Sequence, residues 1–243
     1  PYEKKDPKIA AVRSTLGIRE DELMILTIGG DAASKGGREV MEALAIGMEA
    51  WPSWKYVCKV WPQLRTEQQN KLDIELARQL KIDTQVMFPT SIVSREFIPY
   101  LLGACDIYAA PSRLEGFGML QVEAGACGKP VIGINAMGML DTLVDEKTAL
   151  LAGVSQKIVL NEVILGPECG YPENQRLVFD TPRTVDYRAS IQDIYRALHR
   201  LMSNPKLREN MGNAGRAHVL NNFDYRIIAA RFVEIVKERL EIN

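Results

Sequence analysis

The chain has little of what most metal, redox and nucleic-acid chemistries need. It carries two histidines, His199 and His218, and four cysteines, Cys58, Cys105, Cys127 and Cys169. No two cysteines form C-x-x-C and no histidine stands at ligand spacing, so they carry no metal-site motif. The first three cysteines fall in predicted strands or a helix and read as buried, reduced thiols of a cytosolic protein. The histidines sit in predicted C-terminal helices, as packing or surface residues without a catalytic part. Net charge is -1, and no basic run or aromatic-plus-basic stripe offers a nucleic-acid surface. No apolar stretch approaches membrane-spanning length and the N-terminus does not read as a signal peptide, which leaves peripheral membrane contact open. The remaining composition, 47% apolar and 25% charged over 243 residues, suits a soluble domain with one substantial core.

What is present is alternation. Apolar runs at Leu23–Ile28, Lys55–Val60, Gln85–Phe88, Asp106–Ala110, Val131–Ile134 and Thr148–Leu151 read as six short strands. Between them the pattern turns helical, over Arg38–Ala50 (Val40, Leu44, Met48), Leu64–Leu80 (Leu72, Leu76, Leu80) and Ser94–Ala104, with Ser94 as N-cap. Strand–helix alternation without hairpin signals predicts an α/β fold, a doubly wound parallel, Rossmann-like sheet.

The stretch from Pro111 to Val131, PSRLEGFGMLQVEAGACGKPV, runs strand, glycine loop, helix, strand. A helix that starts after a glycine loop presents free N–H groups and its positive dipole end to an anion. From Met119 the helix places Met119, Val122 and Ala126 on one face. Glu115 and Glu123 flank its start, with seven residues between them. A carboxylate repels a phosphate but accepts strong hydrogen bonds from sugar or ribose hydroxyls. On chemistry alone, ordinary dipole-stabilising or surface glutamates account for the pair somewhat better. A second strand–glycine loop–helix unit, Gly29-Gly30-Asp31-Ala32-Ala33-Ser34-Lys35-Gly36-Gly37, brings a lysine to a second anion site without Walker spacing, although a solvated loop lysine is the commoner fate of that residue.

Taken together, Glu115-Gly116-Phe117-Gly118, Glu123-Ala124 and Gly128-Lys129-Pro130-Val131 resemble the signature of the retaining group 1 glycosyltransferases with the GT-B fold. The resemblance runs from about Ile9 to Arg239, except over 153–187. It implies a donor-binding, C-terminal half of a GT-B enzyme that transfers a sugar, with retention, from a nucleotide diphosphate sugar. By motif, Glu115 and the segment Gly116, Phe117, Gly118 and Met119 would meet the donor sugar. Gly29, Gly30, Lys35, Pro89, Leu120 and Glu123 would meet the nucleotide, with Glu123 on the ribose. Lys35 on the diphosphate and Glu115 would carry the catalytic roles, and neither metal nor cofactor is expected. The family usually has arginine where this chain has Gly30, so donor binding would either be weaker or use Arg38 or another cation. At Met137–Asp141, Met137 stands in place of the first of the family's two glycines and Asp141 in place of its glutamate, so no role is carried over there.

The expected organisation is a connector at 1–21 with a short helix at Ile9–Leu16, a nucleotide-sugar-binding domain at 22–187 with an atypical insertion at 153–187, and C-terminal helices at 188–243. Within the insertion, Ile158–Leu165 and Arg176–Phe179 read as added strands or extended segments, forming either a lid or interface or a packed surface excursion. Helices follow at Arg188–Met202, Pro205–Asn222 and from Asp224, the last with Ile228, Phe232, Ile235, Val236 and Leu240 on one face. No second strand–helix series precedes Leu23. The expected partners are therefore a nucleotide diphosphate sugar and an N-terminal, acceptor-binding domain supplied in cis or in trans. Two other classes remain: a non-catalytic nucleotide-sugar-binding module, and a glucan synthase- or phosphorylase-like GT-B enzyme.

Overall fold

A computed structural model describes residues 6–61, 64–167 and 170–240. Pro1 to Lys5 of the expected connector, Cys169, and residues 241–243 lie outside the described residues. Six parallel strands, β1 (Leu23–Ile28), β2 (Trp54–Lys59), β3 (Val86–Met87), β4 (Ile107–Ala109), β5 (Val131–Ile134) and β6 (Ala149–Ala152), lie in the order β3-β2-β1-β4-β5-β6. Every residue of β1, β4 and β5 is buried, as a sheet covered on both faces requires. The doubly wound α/β fold is therefore the observed one.

Helices α2 (Gly37–Ile46) and α3 (Leu64–Gln79) follow β1 and β2; α4 (Ile98–Ala104) and α5 (Met119–Ala126) follow β3 and β4. Right-handed crossovers put these two pairs on opposite faces, because the winding direction reverses at β1. The C-terminal helices α7 (Ile191–Ser203) and α8 (Pro205–Asn222) join them, α7 packing on α2 and α8 on α5. A short α6 (Met139–Thr142) lies between β5 and β6, and α9 (Tyr225–Leu240) closes the described chain. Strand order reverses between β1 and β4, so the loops leaving those two strands diverge and open a crevice at the sheet's C-terminal edge.

Several boundaries differ from the sequence pattern. The short helix expected at Ile9–Leu16 within the connector is α1 (Pro7–Thr15), capped by Asp6, with Ile9 and Val12 in the core. Arg13, also buried, donates to Ala104 O, Glu22 O and the Asp106 carboxylate, which in turn accepts from Met24 N. Residues 6–21 are thus integral to the packed domain. Helix α2 stops at Ile46 because the Trp51 ring lies on the backbone at Gly47, where a Cβ would sit 2.2 Å from Cζ2. Leu72 is exposed; Asp73 and Ala77 turn inward in its place. On α5, Met119 faces out while Gln121, Val122, Ala124 and Gly125 are buried.

The largest difference is the insertion. β7 (Val154–Leu165) and β8 (Gln175–Ala189) form a two-stranded antiparallel ribbon, interrupted by register shifts. At 12 residues β7 extends about 40 Å. Arg188 belongs to this ribbon and α7 begins only at Ile191, capped by Ser190. Both faces of the ribbon are largely solvated, so neither strand shows the apolar–polar alternation that betrays a half-buried strand.

Candidate functional site

The two glycine loops meet. Arg113 N, two residues before Glu115, donates to Ser34 O, one residue before Lys35, at 2.9 Å. Across this stitch Lys35 Nζ donates to Glu115 Oε2 at 2.7 Å, with 23% and 17% of the side chains exposed. The two residues expected to carry the catalytic roles therefore face each other at the crevice. Burial alone would raise the Glu115 carboxyl. The Lys35 hydrogen bond and charge, with the Gly118 amide and Ser112 hydroxyl, outweigh it and hold the group below the usual range.

Helix α5 begins beside this pair. Gly118, at φ 85°, sits in the left-handed region at its N-cap, a backbone that side chains adopt only under strain. Buried Gln121 donates to Ala110 O at 3.1 Å and to Ser112 Oγ at 3.4 Å, pinning the loop's approach to the helix. Gly116, Phe117 and Met119 are exposed at the edge, while Leu120 packs partly against the core. Phe117 meets Phe223 edge to face at 5.8 Å. Glu123, half-buried in the second turn, has its carboxyl raised by burial, with the Arg95 charge opposing.

The remaining expected residues are placed less simply. Gly29 is buried and its N–H is engaged by Lys59 O at 3.0 Å, so it offers a ligand no donor. What it offers is room, since a Cβ there would lie 2.3 Å from Lys35 Cγ. Gly30 is exposed, and its carbonyl accepts from Trp61 N. Arg38 does not replace the missing arginine: its Nε is 2.6 Å from Asp73 Oδ1 on α3. Asp73 is fully buried, and burial raises its carboxyl despite that arginine. Pro89, at the end of β3, borders a cavity of about 650 Å³ between α1, α4 and the β3–α4 loop.

Three contributors escaped the sequence pattern. Glu39, buried on α2, takes both Arg113 Nε and Nη2 at 2.9 Å and Arg188 Nη1 at 3.5 Å. It thereby ties the Glu115 loop and the root of the β7–β8 ribbon to one carboxylate. Gly138, in the turn where the family pattern breaks down, backs the loop so closely that a Cβ would sit 2.1 Å from Gly116 O. Lys59, 4% exposed, lines the cavity beside Pro89. A carboxylate in a helix's apolar face and a lysine closing an apolar strand were the signals for two of them.

The family model for "Glycosyl transferases group 1" matches residues 9–166, more than half of the chain. A GDP-mannose-dependent alpha-(1-6)-phosphatidylinositol monomannoside mannosyltransferase of Mycolicibacterium smegmatis is 26% identical over 173 residues, covering 68% of this chain and 36% of the relative. The chain thus spans about a third of the length of that curated relative. Among solved structures, Anabaena Alr3699/HepE in complex with UDP superposes with TM-score 0.74 at 18% identity, over 98% of this chain and 54% of that one. The C-terminal domain of the group 1 protein LpcC from Francisella tularensis gives TM-score 0.68 at 20% identity, over 92% and 96%. At such identities the two structures speak for the fold alone. With the family model spanning the sheet and both glycine loops, the chain belongs to the group 1 glycosyl transferases.

Proposed function

We propose that this chain is the donor-binding, C-terminal half of a GT-B glycosyltransferase, taking a nucleotide diphosphate sugar and transferring the sugar with retention. The observation that carries the reading is the meeting of Lys35 and Glu115 across two glycine loops beside the α5 N-terminus. A diphosphate takes Lys35 and the first amides of α5. Glu115 accepts from donor sugar hydroxyls, next to the amides of Phe117, Gly118 and Met119. Glu123 accepts from the ribose, while Gly29, Gly30, Pro89 and Leu120 wall the nucleotide. As the glycosidic bond breaks, negative charge grows on the departing diphosphate, and preorganised N–H groups and Lys35 stabilise it. This assignment calls on no metal or cofactor. The free, buried thiols Cys58, Cys105 and Cys127 support a reducing, cytosolic setting. Among the described residues no helix is long and apolar enough to cross a membrane.

The partner is an N-terminal, acceptor-binding domain in cis or in trans. Its support is α9, where Ile228, Phe232, Ile235 and Leu240 are all exposed. Transfer requires an acceptor held in line with the donor, and that surface accounts for much of the rate. A thermal-shift titration with millimolar UDP, GDP and ADP tests donor binding; no shift with any of them refutes it. A donor-consumption assay with and without a supplied N-terminal domain tests the division of labour. Turnover of about 1 per second or more by the chain alone refutes that division. Gly30 in the arginine position, with Arg38 held by Asp73, favours one second reading, a nucleotide-sugar-binding module without transfer.

A further inference from the structure

The cavity beside Pro89 has a composition that the diphosphate chemistry does not use. Its walls are mostly apolar, from Val12 and Leu16 of α1 to Val93, Phe97 and Leu101 around α4. Its volume, about 650 Å³, falls in the range of small-molecule sites. Into this setting β2 delivers an ammonium. Lys59 is 4% exposed, its Nζ donates to Val60 O at 2.7 Å, and it stands 5.4 Å from the Trp61 ring centroid. An ammonium carries three donors, so two are left over, and among the described residues no carboxylate forms an ion pair with it. Burial depresses its pKa, the mark of a charge that the protein alone does not compensate.

Such a group is costly unless a ligand completes it. The position tells which ligand part arrives there. Lys59 O accepts from Gly29 N, so the cavity adjoins the Lys35 loop. If the diphosphate lies at Lys35 and the ribose at Glu123, the part of the donor left for the β3–α4 loop is the base. It enters with its glycosidic edge toward the ribose and its far edge inward. At that far edge uracil carries the 4-oxo group and guanine the 6-oxo group, both acceptors. Cytosine and adenine carry an amine at the same places, which would set donor against donor.

We infer that Lys59 is a specificity-determining residue that donates to the far-edge oxo group of the donor's base, selecting uracil or guanine nucleotides over cytosine and adenine ones. This rests on the donor-site reading above, and the test separates the two. Calorimetry of the full chain is run with UDP against CDP and GDP against ADP, pairs matched in ring size and charge, and repeated with Lys59→Met. The expected wild-type result is at least tenfold tighter binding of one oxo-base nucleotide than of its amino-base counterpart. Lys59→Met should bring that ratio within about threefold by weakening the oxo-base nucleotide alone. Equal binding within both wild-type pairs overturns the inference without needing a variant that folds. Equal weakening of all four nucleotides by Lys59→Met overturns it too, by placing the ammonium on phosphate. In both cases the donor site stands. Failure of every nucleotide to bind removes the donor site and this inference together.

Discussion

Removal of Glu115 should push two related ligands in opposite directions. Lys35 is held by Glu115 at 2.7 Å. A diphosphate can take the lysine only by competing with that carboxylate. At this separation the bare Coulomb term runs from about 1.5 kcal/mol at water's dielectric to about 6 at an effective value of 20. The side chains remain 23% and 17% exposed, so solvation and side-chain ordering cancel most of it. About 1 kcal/mol net is a fair figure for such a pair. Glu115→Ala therefore frees Lys35 and should tighten binding of the free nucleotide diphosphate about fivefold. The sugar conjugate gains the same release but loses a charge-assisted hydrogen bond of about 1.5–3 kcal/mol. Its net change is a loss of about 0.5–2 kcal/mol, or about 2- to 30-fold weaker binding. Calorimetric titration of wild type and variant with UDP and UDP-glucose, or the guanine pair, reads both numbers. Weakening of the free nucleotide by tenfold, or an unchanged sugar conjugate, would refute this arrangement of roles.

Other consequences can be checked with simpler assays. Glu123→Ala should weaken free nucleotide and sugar conjugate alike, by about 1.5–3 kcal/mol each in calorimetry, because its proposed ligand is the ribose they share. Gly212→Ala should destabilise the fold by about 1–3 kcal/mol in urea unfolding, since the added Cβ would sit 2.0 Å from Gly128 O at the α5–α8 contact. Cys58 and Cys105, buried with thiols pushed up to about 12, and Cys127, to about 11, should resist a thiol reagent at neutral pH until the chain unfolds; peptide mapping after brief labelling reads this directly.

The sheet was legible because buried parallel strands are short apolar runs bounded by turns, and all six expected runs became strands. The central loop was legible because Gly116, Gly118 and the two glutamates have fixed places along the chain. Pairings across the chain were hidden. Nothing local says that Lys35 and Glu115, 80 residues apart, share a hydrogen bond, or that Arg38 is held by a carboxylate on α3. Helix faces misled where a charged residue is buried with a partner, as with Asp73, because periodicity counts only apolar positions. The ribbon was read as added strands or extended segments over Ile158–Leu165 and Arg176–Phe179 only, short of the observed Val154–Leu165 and Gln175–Ala189, since two solvated faces leave no alternation to detect.

The root of that ribbon supplies a last test, which bears on whether 153–187 is only a surface excursion. Glu39 is buried, and a buried carboxylate that loses its partner costs about 3–5 kcal/mol. Its partners are unequal. Arg113 approaches with two nitrogens at 2.9 Å and is 12% exposed; Arg188 approaches with one at 3.5 Å, is 28% exposed, and has Asp186 at 2.8 Å besides. Arg113→Met should therefore cost about 3 kcal/mol in chemical denaturation, and Arg188→Met about 1 kcal/mol or less. The ribbon also holds the Glu115 loop through its backbone, since Tyr187 N donates to Arg113 O at 2.8 Å. That bond survives either substitution, so Arg188→Met should leave nucleotide affinity unchanged while Arg113→Met loosens the loop and weakens sugar-conjugate binding. If both variants lose equal stability and equal affinity, Glu39 does not discriminate between its arginines. The ribbon root would then hold the site as firmly as α2 does.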